Sequence, residues 1–198
     1  MPLLRWQMPD VSSSSMVFVD DNLAGKQVNG HAVLSFNDFV SSRAEDKAIA
    51  LAVASPATRE MVASRCIDAG LAFFNVSASN VIQMDNLVIG EGALLSPNVV
   101  LTSNILIGKH FHANIGSYVE HDCVLGDCVT FGPGVKCNGN VHIGDGAYIG
   151  GGAIIRQGRC GSPLRIGKGA VVGMGAIVLY DVPDGVTVVG NPATILPR

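Results

Sequence analysis

The stretch ILIGKHFHANIGSYVEHDCVLGDCVTFGPGVKCNGNVHIGDGAYIG, residues 105–150, decides the fold. Every sixth residue in it is apolar: Ile107, Ala113, Val119, Leu125, Phe131, Cys137, Ile143 and Ile149. Followed outward, the stripe also takes in Ile89, Leu95, Leu101 and Ile155, so twelve consecutive positions agree. After five extra residues the register resumes at Ile166, Val172 and Val178. A second stripe, four places behind the first, runs through Ala93, Val99, Ile105, Ser117, Cys123, Val129, Val135, Val141, Ala147, Ala153, Ala170 and Ala176. An amphipathic helix needs a period near 3.6 and a half-buried strand a period of 2. A period of six, with glycine behind many apolar positions, describes short strands joined by tight corners instead. The glycines agree, because 21 of the 24 fall from Gly90 onward. Three hexads then make an 18-residue coil of triangular section, each coil hydrogen-bonded to the next. The expected fold is mostly β, with a parallel β-helix over residues 80–198. The Pro/Gly-rich runs Asp181–Gly185 and Gly190–Ala193 cap its last edge.

Upstream of residue 80 the pattern changes. Val17–Val19 reads as a strand, Asn37–Arg43 as a short helix and Ala48–Ala54 as a buried strand. Ser55 then serves as N-cap and Pro56 as the first residue of a helix ending at Gly70, before the strand Leu71–Phe74. Strand, helix, strand is βαβ order, so residues 17–79 are expected to form a small α/β domain with a parallel sheet. Residues 1–16, with four serines at 12–15, read as a leader or linker.

Composition narrows the function classes. A formal charge of −3, with no Lys/Arg run, argues against nucleic acid or an anionic membrane surface as partner. No apolar run is long enough to span a bilayer and no signal peptide opens the chain, so the cytoplasm is expected. The five cysteines form no CxxC or Cys/His zinc spacing and read as reduced thiols.

Within the coil, His121 falls at a polar corner between Glu120 and Asp122. An imidazole beside a carboxylate suits a general base, although the same arrangement describes a surface histidine in an acidic turn. Gly139 follows His121 by 18 residues, one full coil, and therefore shares its corner. It is either a source of a backbone N–H for a developing oxyanion or a plain turn glycine.

The runs Asn114–Asp127 and Gly134–Gly144 closely resemble the sialic-acid O-acetyltransferase-like hexapeptide acyltransferases of bacteria. Among these, the nearest are the UDP-4-amino-sugar N-acetyltransferases of the bacillosamine and perosamine pathways. The resemblance extends over residues 17–198, including Val19-Asp20-Asp21 and the closing Gly190–Ala193. It implies a left-handed coil, a homotrimer with active sites between subunits, and acetyl-CoA as donor to a nucleotide-linked amino sugar. It further implies that His121 is the base with Asp122 as its acidic partner. Gly139 and Thr130 lie at cofactor-contact positions; Thr130 stands where relatives often carry histidine. Asn114, Asp20 and Asp21 fall at sugar-contact positions. Arg156, Arg159, Arg165 and Lys168 gather four cations around one extruded loop and suit the phosphates of CoA.

One departure concerns the first βα unit. Relatives place a Gly-rich turn before the Asp-Asp segment, whereas the first glycine here is Gly25. The α/β domain is thus expected to be a truncated Rossmann-like unit, its nucleotide-sugar site either incomplete or supplied by another part of a longer polypeptide, for which a fused or cooperating sugar-phosphate transferase would fit. His31, His110, His112 and His142 do not reproduce the three-histidine zinc arrangement of β-helix carbonic anhydrases, so no metal is expected. The function expected is direct acetyl transfer to a sugar amine. The alternatives are O-acetylation of a sialic-acid-type sugar, or a non-catalytic β-helix that serves as scaffold or acetyl-CoA binder.

Overall fold

A computed structural model describes residues 1–44 and 46–197. From Val76 onward the chain winds into a left-handed parallel β-helix with three faces. The first face stacks eight short strands, beginning at Val76–Ser77 and ending in the antiparallel pair Thr187–Val189 and Thr194–Ile195. The second stacks six, from Ile82–Gln83 to Ile177–Val178, and the third five, from Leu87–Ile89 to Leu164–Ile166. Register repeats at 18 residues: Val100 pairs with Tyr118, and Tyr118 with Lys136.

Both apolar stripes point inward, as their spacing requires. Leu101, Phe131, Cys137, Ile149 and Ile155 of the first stripe, and Ala93, Val99, Ile105, Cys123 and Val129 of the second, have no exposed surface. Ile89, in the opening coil, is only partly covered. Ser117 is the polar member, and its hydroxyl donates to Asn114 O at 2.7 Å inside the corner. Burying each Val, Leu or Ile here contributes about 1.5–3 kcal/mol, which is how two-residue strands add up to a stable stack. The first position of the corner between third and first faces admits only glycine. A Cβ at Gly108, Gly126 or Gly144 would meet backbone of the next coil at 2.6–2.7 Å.

The N-terminal unit carries three helices: α1 (Pro2–Gln7), α2 (Phe36–Ser41) and α3 (Pro56–Asp68). Helix α3 starts where expected, with Ser55 Oγ accepting from Thr58 N, and joins the parallel strands Ala48–Ile49 and Ala72–Phe73 into a βαβ unit. Helix α2 begins one residue before the expected Asn37 and ends two before Arg43, because Ser35 caps it and Asp21 Oδ1 accepts from Phe36 N at 2.7 Å. Only Ala48–Ile49 of the expected strand 48–54 pairs with a neighbour. The carbonyls of Val53 and Ala54 turn instead to Arg59. Phe18–Val19 is joined by an unexpected hairpin of Gln27–Val28 and His31–Leu34, whose turn residues Asn29 and Gly30 are both left-handed.

The segment expected as a leader or linker contains α1 and a short turn at Ser13–Ser15. Gln7 caps the opening strand of the coil, donating to Asn75 O at 3.0 Å and accepting from Ser77 N at 2.9 Å. Arg5 donates to His31 Nε2 at 3.0 Å.

Arg59 locks α3 to the first face. Fully buried, it donates through Nη1 to Val53 O (2.8 Å) and His112 Nδ1 (3.2 Å), and through Nη2 to Cys128 O (2.6 Å) and Thr130 Oγ1 (2.8 Å). Because a guanidinium only donates, His112 Nδ1 is held as an unprotonated acceptor. Burial, and then Arg59, push the His112 imidazole down to about 3. Burial lowers His110 in the same direction.

The unfolded chain, whose imidazoles titrate near ~6.5, therefore takes up these protons first. Stability from this joint is complete above about pH 6.5 and declines as pH falls toward the folded value, by about 2 kcal/mol at pH 5 for His112 alone. Thermal midpoints between pH 7.5 and 5.0 are expected to fall in the wild type and to fall less in His112→Asn, whose amide oxygen still accepts from Arg59. Equal slopes for the two proteins would remove His112 as the cause.

Candidate active site

The corner between second and third faces carries the candidate chemistry. Val119 ends a second-face strand and Val124 starts a third-face strand, so Glu120, His121 and Asp122 make the turn. Asp122 takes a left-handed φ of 59°, which asparagine and aspartate tolerate better than longer side chains. His121 Nδ1 lies 2.8 Å from Asp122 Oδ2, and both side chains are close to half exposed. A carboxylate accepts, so Nδ1 carries a proton, and in the neutral ring Nε2 is the nitrogen with the lone pair. The hydrogen bonds from His121 and then from Asn104 hold the Asp122 carboxyl below the usual carboxylate range.

Gly139 sits directly over this ring. A Cβ there would meet His121 Cε1 and Nε2 at 2.6 Å, so the imidazole has its place only because residue 139 lacks a side chain. The corner is continuous from coil to coil: Asp122 N donates to Ser103 O, Asn140 N to His121 O, and Gly158 N to Gly139 O. Glu120 is a member that sequence reasoning did not single out. Its Oε2 accepts from Gly139 N at 3.1 Å, so the backbone donor expected to face an oxyanion is held by this carboxylate.

The other expected site residues divide. Asn114 donates through Nδ2 to Phe131 O at 2.8 Å and braces the first corner rather than the His121 corner. Thr130 is buried on the first face with its hydroxyl on Arg59, so in this chain that position serves the joint to α3. Asp20 Oδ1 accepts from Asn22 N and Leu23 N, closing its own turn. Asp21 caps α2 and pairs with Arg65 at 3.0 Å, while the Arg65 guanidinium stacks 3.8 Å above Phe36.

The four cations divide between two grooves that share Asp181. Arg156 and Arg159 line a shallow groove of about 220 Å³ with Gly158, Ser162 and Asp181. Arg165 and Lys168 line a larger one of about 550 Å³ on the third face, with Val124, His142, Asp145 and Asp184. Lys168 Nζ lies 3.6 Å from Asp145 Oδ2. All five cysteines are free. Among the described residues, no group of three or more His, Cys, Asp or Glu side chains is arranged to hold a metal ion, and no helix is long and apolar enough to cross a membrane.

No family model matches the chain. A GDP-perosamine N-acetyltransferase of Escherichia coli O157:H7 is 47% identical over 199 residues, covering 100% of this chain and 90% of that protein. The chain belongs to the hexapeptide-repeat amino-sugar acetyltransferases. WeeI from Acinetobacter baumannii AYE superposes with a TM-score of 0.98 at 56% identity, covering 99% of this chain and 92% of that one. The acetyltransferase domain of PglB from Neisseria gonorrhoeae FA1090, solved in complex with acetyl coenzyme A, gives a TM-score of 0.80 at 29% identity, covering 91% and 85%. Membership makes this chain an acetyltransferase and leaves the acceptor to be argued from the site.

Proposed function

We propose that this acetyltransferase transfers an acetyl group from acetyl-CoA to the amine of a GDP-linked sugar of the perosamine type, with His121 as general base. The observation that carries the reading is the His121 corner. There an imidazole whose Nδ1 is held by the Asp122 carboxylate turns its Nε2 away from that partner, on a half-exposed edge of the coil. Attack of the amine on the thioester carbonyl requires a proton to leave nitrogen, and Nε2 is free to take it. Asp122 fixes the tautomer and stabilises the imidazolium that forms. The Gly139 N–H supports the tetrahedral oxyanion once Glu120 turns aside, and no acyl-enzyme is needed. A GDP acceptor is favoured over the UDP-4-amino-4,6-dideoxy sugar by the whole-length likeness to the Escherichia coli protein.

Arg165 and Lys168, in the larger groove, suit the phosphates of CoA. That groove continues into an apolar row on the third face, where Val88, Leu106 and Val124 are exposed in register. A neighbouring subunit of a homotrimer would cover this row and complete the cleft. The test is CoA-thiol release with GDP-perosamine, a UDP-4-amino-4,6-dideoxy sugar and their 4-hydroxy counterparts. Turnover is expected with GDP-perosamine at a kcat/KM at least about tenfold above the UDP sugar, and none with the hydroxy sugars. Preference for the UDP sugar would reverse the nucleotide assignment, and turnover of a hydroxy sugar would reassign the reaction to O-acetylation.

A further inference from the structure

We propose that Asn104 is a positioning residue for the His121 base, acting through Asp122 along a ladder of corner side chains. This inference rests on the reading of His121 given above. Asn86, Asn104 and Asp122 occupy the same corner on three successive coils, each 18 residues from the next. All three adopt left-handed backbone, with φ of 56°, 58° and 59°. That conformation aims their short side chains along the stack. Asn86 Nδ2 donates to Asn104 Oδ1 at 3.1 Å, and Asn104 Nδ2 donates to Asp122 Oδ1 at 3.2 Å. The other oxygen, Asp122 Oδ2, meets His121 Nδ1 at 2.8 Å.

The ladder has a direction. An amide carries one accepting and one donating end, so it can pass a hydrogen bond from coil to coil, whereas a carboxylate only accepts and ends the chain. Asn86 fixes which end of Asn104 faces Asp122. Were that amide reversed, its oxygen would confront a carboxylate oxygen. Asp122 lies on a half-exposed edge, where a single hydrogen bond would leave its carboxylate free to rotate about χ2. A bond to each oxygen defines the carboxylate plane, and through it the rotation of the imidazole and the direction of Nε2. The other titratable groups at the corner are placed differently. Glu120 engages Gly139 N, while the Cys123 and Cys137 thiols lie inside the coil against Asn138 O. Among the described residues, Asn104 is the only side chain besides His121 that hydrogen-bonds Asp122.

A double-mutant cycle tests the proposal. Asn104→Gly keeps the left-handed backbone accessible and removes only the side chain. It is expected to lower kcat about 5–10-fold, with KM for acetyl-CoA changed less than about twofold. In the Asp122→Asn background, the same change is expected to cost less than about twofold, because the carboxylate it acts through is gone. A loss of equal size in both backgrounds would assign Asn104 a merely structural role, and an unchanged kcat in Asn104→Gly would likewise overturn the proposal. His121→Asn, measured alongside, separates the two levels. If it keeps wild-type turnover, the base assignment itself fails. If it is inactive while the cycle is additive, only the ladder fails.

Discussion

His121→Asn is expected to lower kcat about 10²–10⁴-fold, with little change in KM for acetyl-CoA. Asparagine keeps a polar group of similar reach on the corner and fits beneath the bare Cα of Gly139, where the present ring is already in contact. It cannot accept and hold the amine proton. The loss should therefore appear in the chemical step and not in binding. Raising the pH is expected to recover part of it, since a larger fraction of the acceptor amine is then already unprotonated. Steady-state kinetics from pH 6.5 to 9.5 with GDP-perosamine measure both effects. Turnover within threefold of wild type at pH 7.5 would eliminate His121 as base. Asp122→Asn should cost less, because it disturbs the tautomer and leaves the imidazole in place.

Arg59→Ala is expected to destabilise the fold by about 3–5 kcal/mol, the larger of the two effects on the structure itself. The guanidinium is fully buried, and its four strong bonds go to two carbonyls, a hydroxyl and an imidazole. Removing it strands several of those acceptors in a dry interface, each at a cost of about 1–3 kcal/mol. It also severs α3 from the first face. Urea unfolding followed by circular dichroism, together with limited proteolysis, reads the outcome. The midpoint should fall, and cleavage should appear first between Phe36 and Phe73. Arg59→Lys should lie between wild type and alanine, because one ammonium cannot serve both sides of the joint. A midpoint within 1 kcal/mol of wild type for Arg59→Ala would show that apolar packing alone holds the unit.

The coil was legible in the sequence because its geometry is repeated. Inward positions recur every six residues, and any one hexad is corroborated by its neighbours. The same arithmetic placed Gly139 over His121, and applied once more it would have found Asn104 beneath Asp122 and Asn86 beneath that. Helix α3 was readable because Ser55 and Pro56 are local signals that need no partner. The remainder depended on contacts between distant residues. Arg59 sits in an unexceptional helical stretch, and nothing nearby signals that its partners on the coil lie 53–71 residues away. Thr130 could not be separated from a cofactor-facing residue until that arginine was seen to occupy its hydroxyl. Asp20 and Asp21 resembled sugar ligands, yet each closes a turn or caps a helix within its own unit. The hairpin at Gln27–Leu34 did carry a local signal, Asn29-Gly30, a pair suited to a two-residue turn.

The loop after Arg156 leaves the stack and returns without disturbing it. Gly158 N bonds to Gly139 O, Leu164 N bonds to Asn140 O, and Arg159 and Ser162 exchange a pair of bonds that close the excursion. The coil above and the coil below therefore meet as though no residues intervened. Chain length at this point is uncoupled from the periodic scaffold. Segments of other sizes and charges can be spliced in there while the imidazole two coils away keeps its bearings.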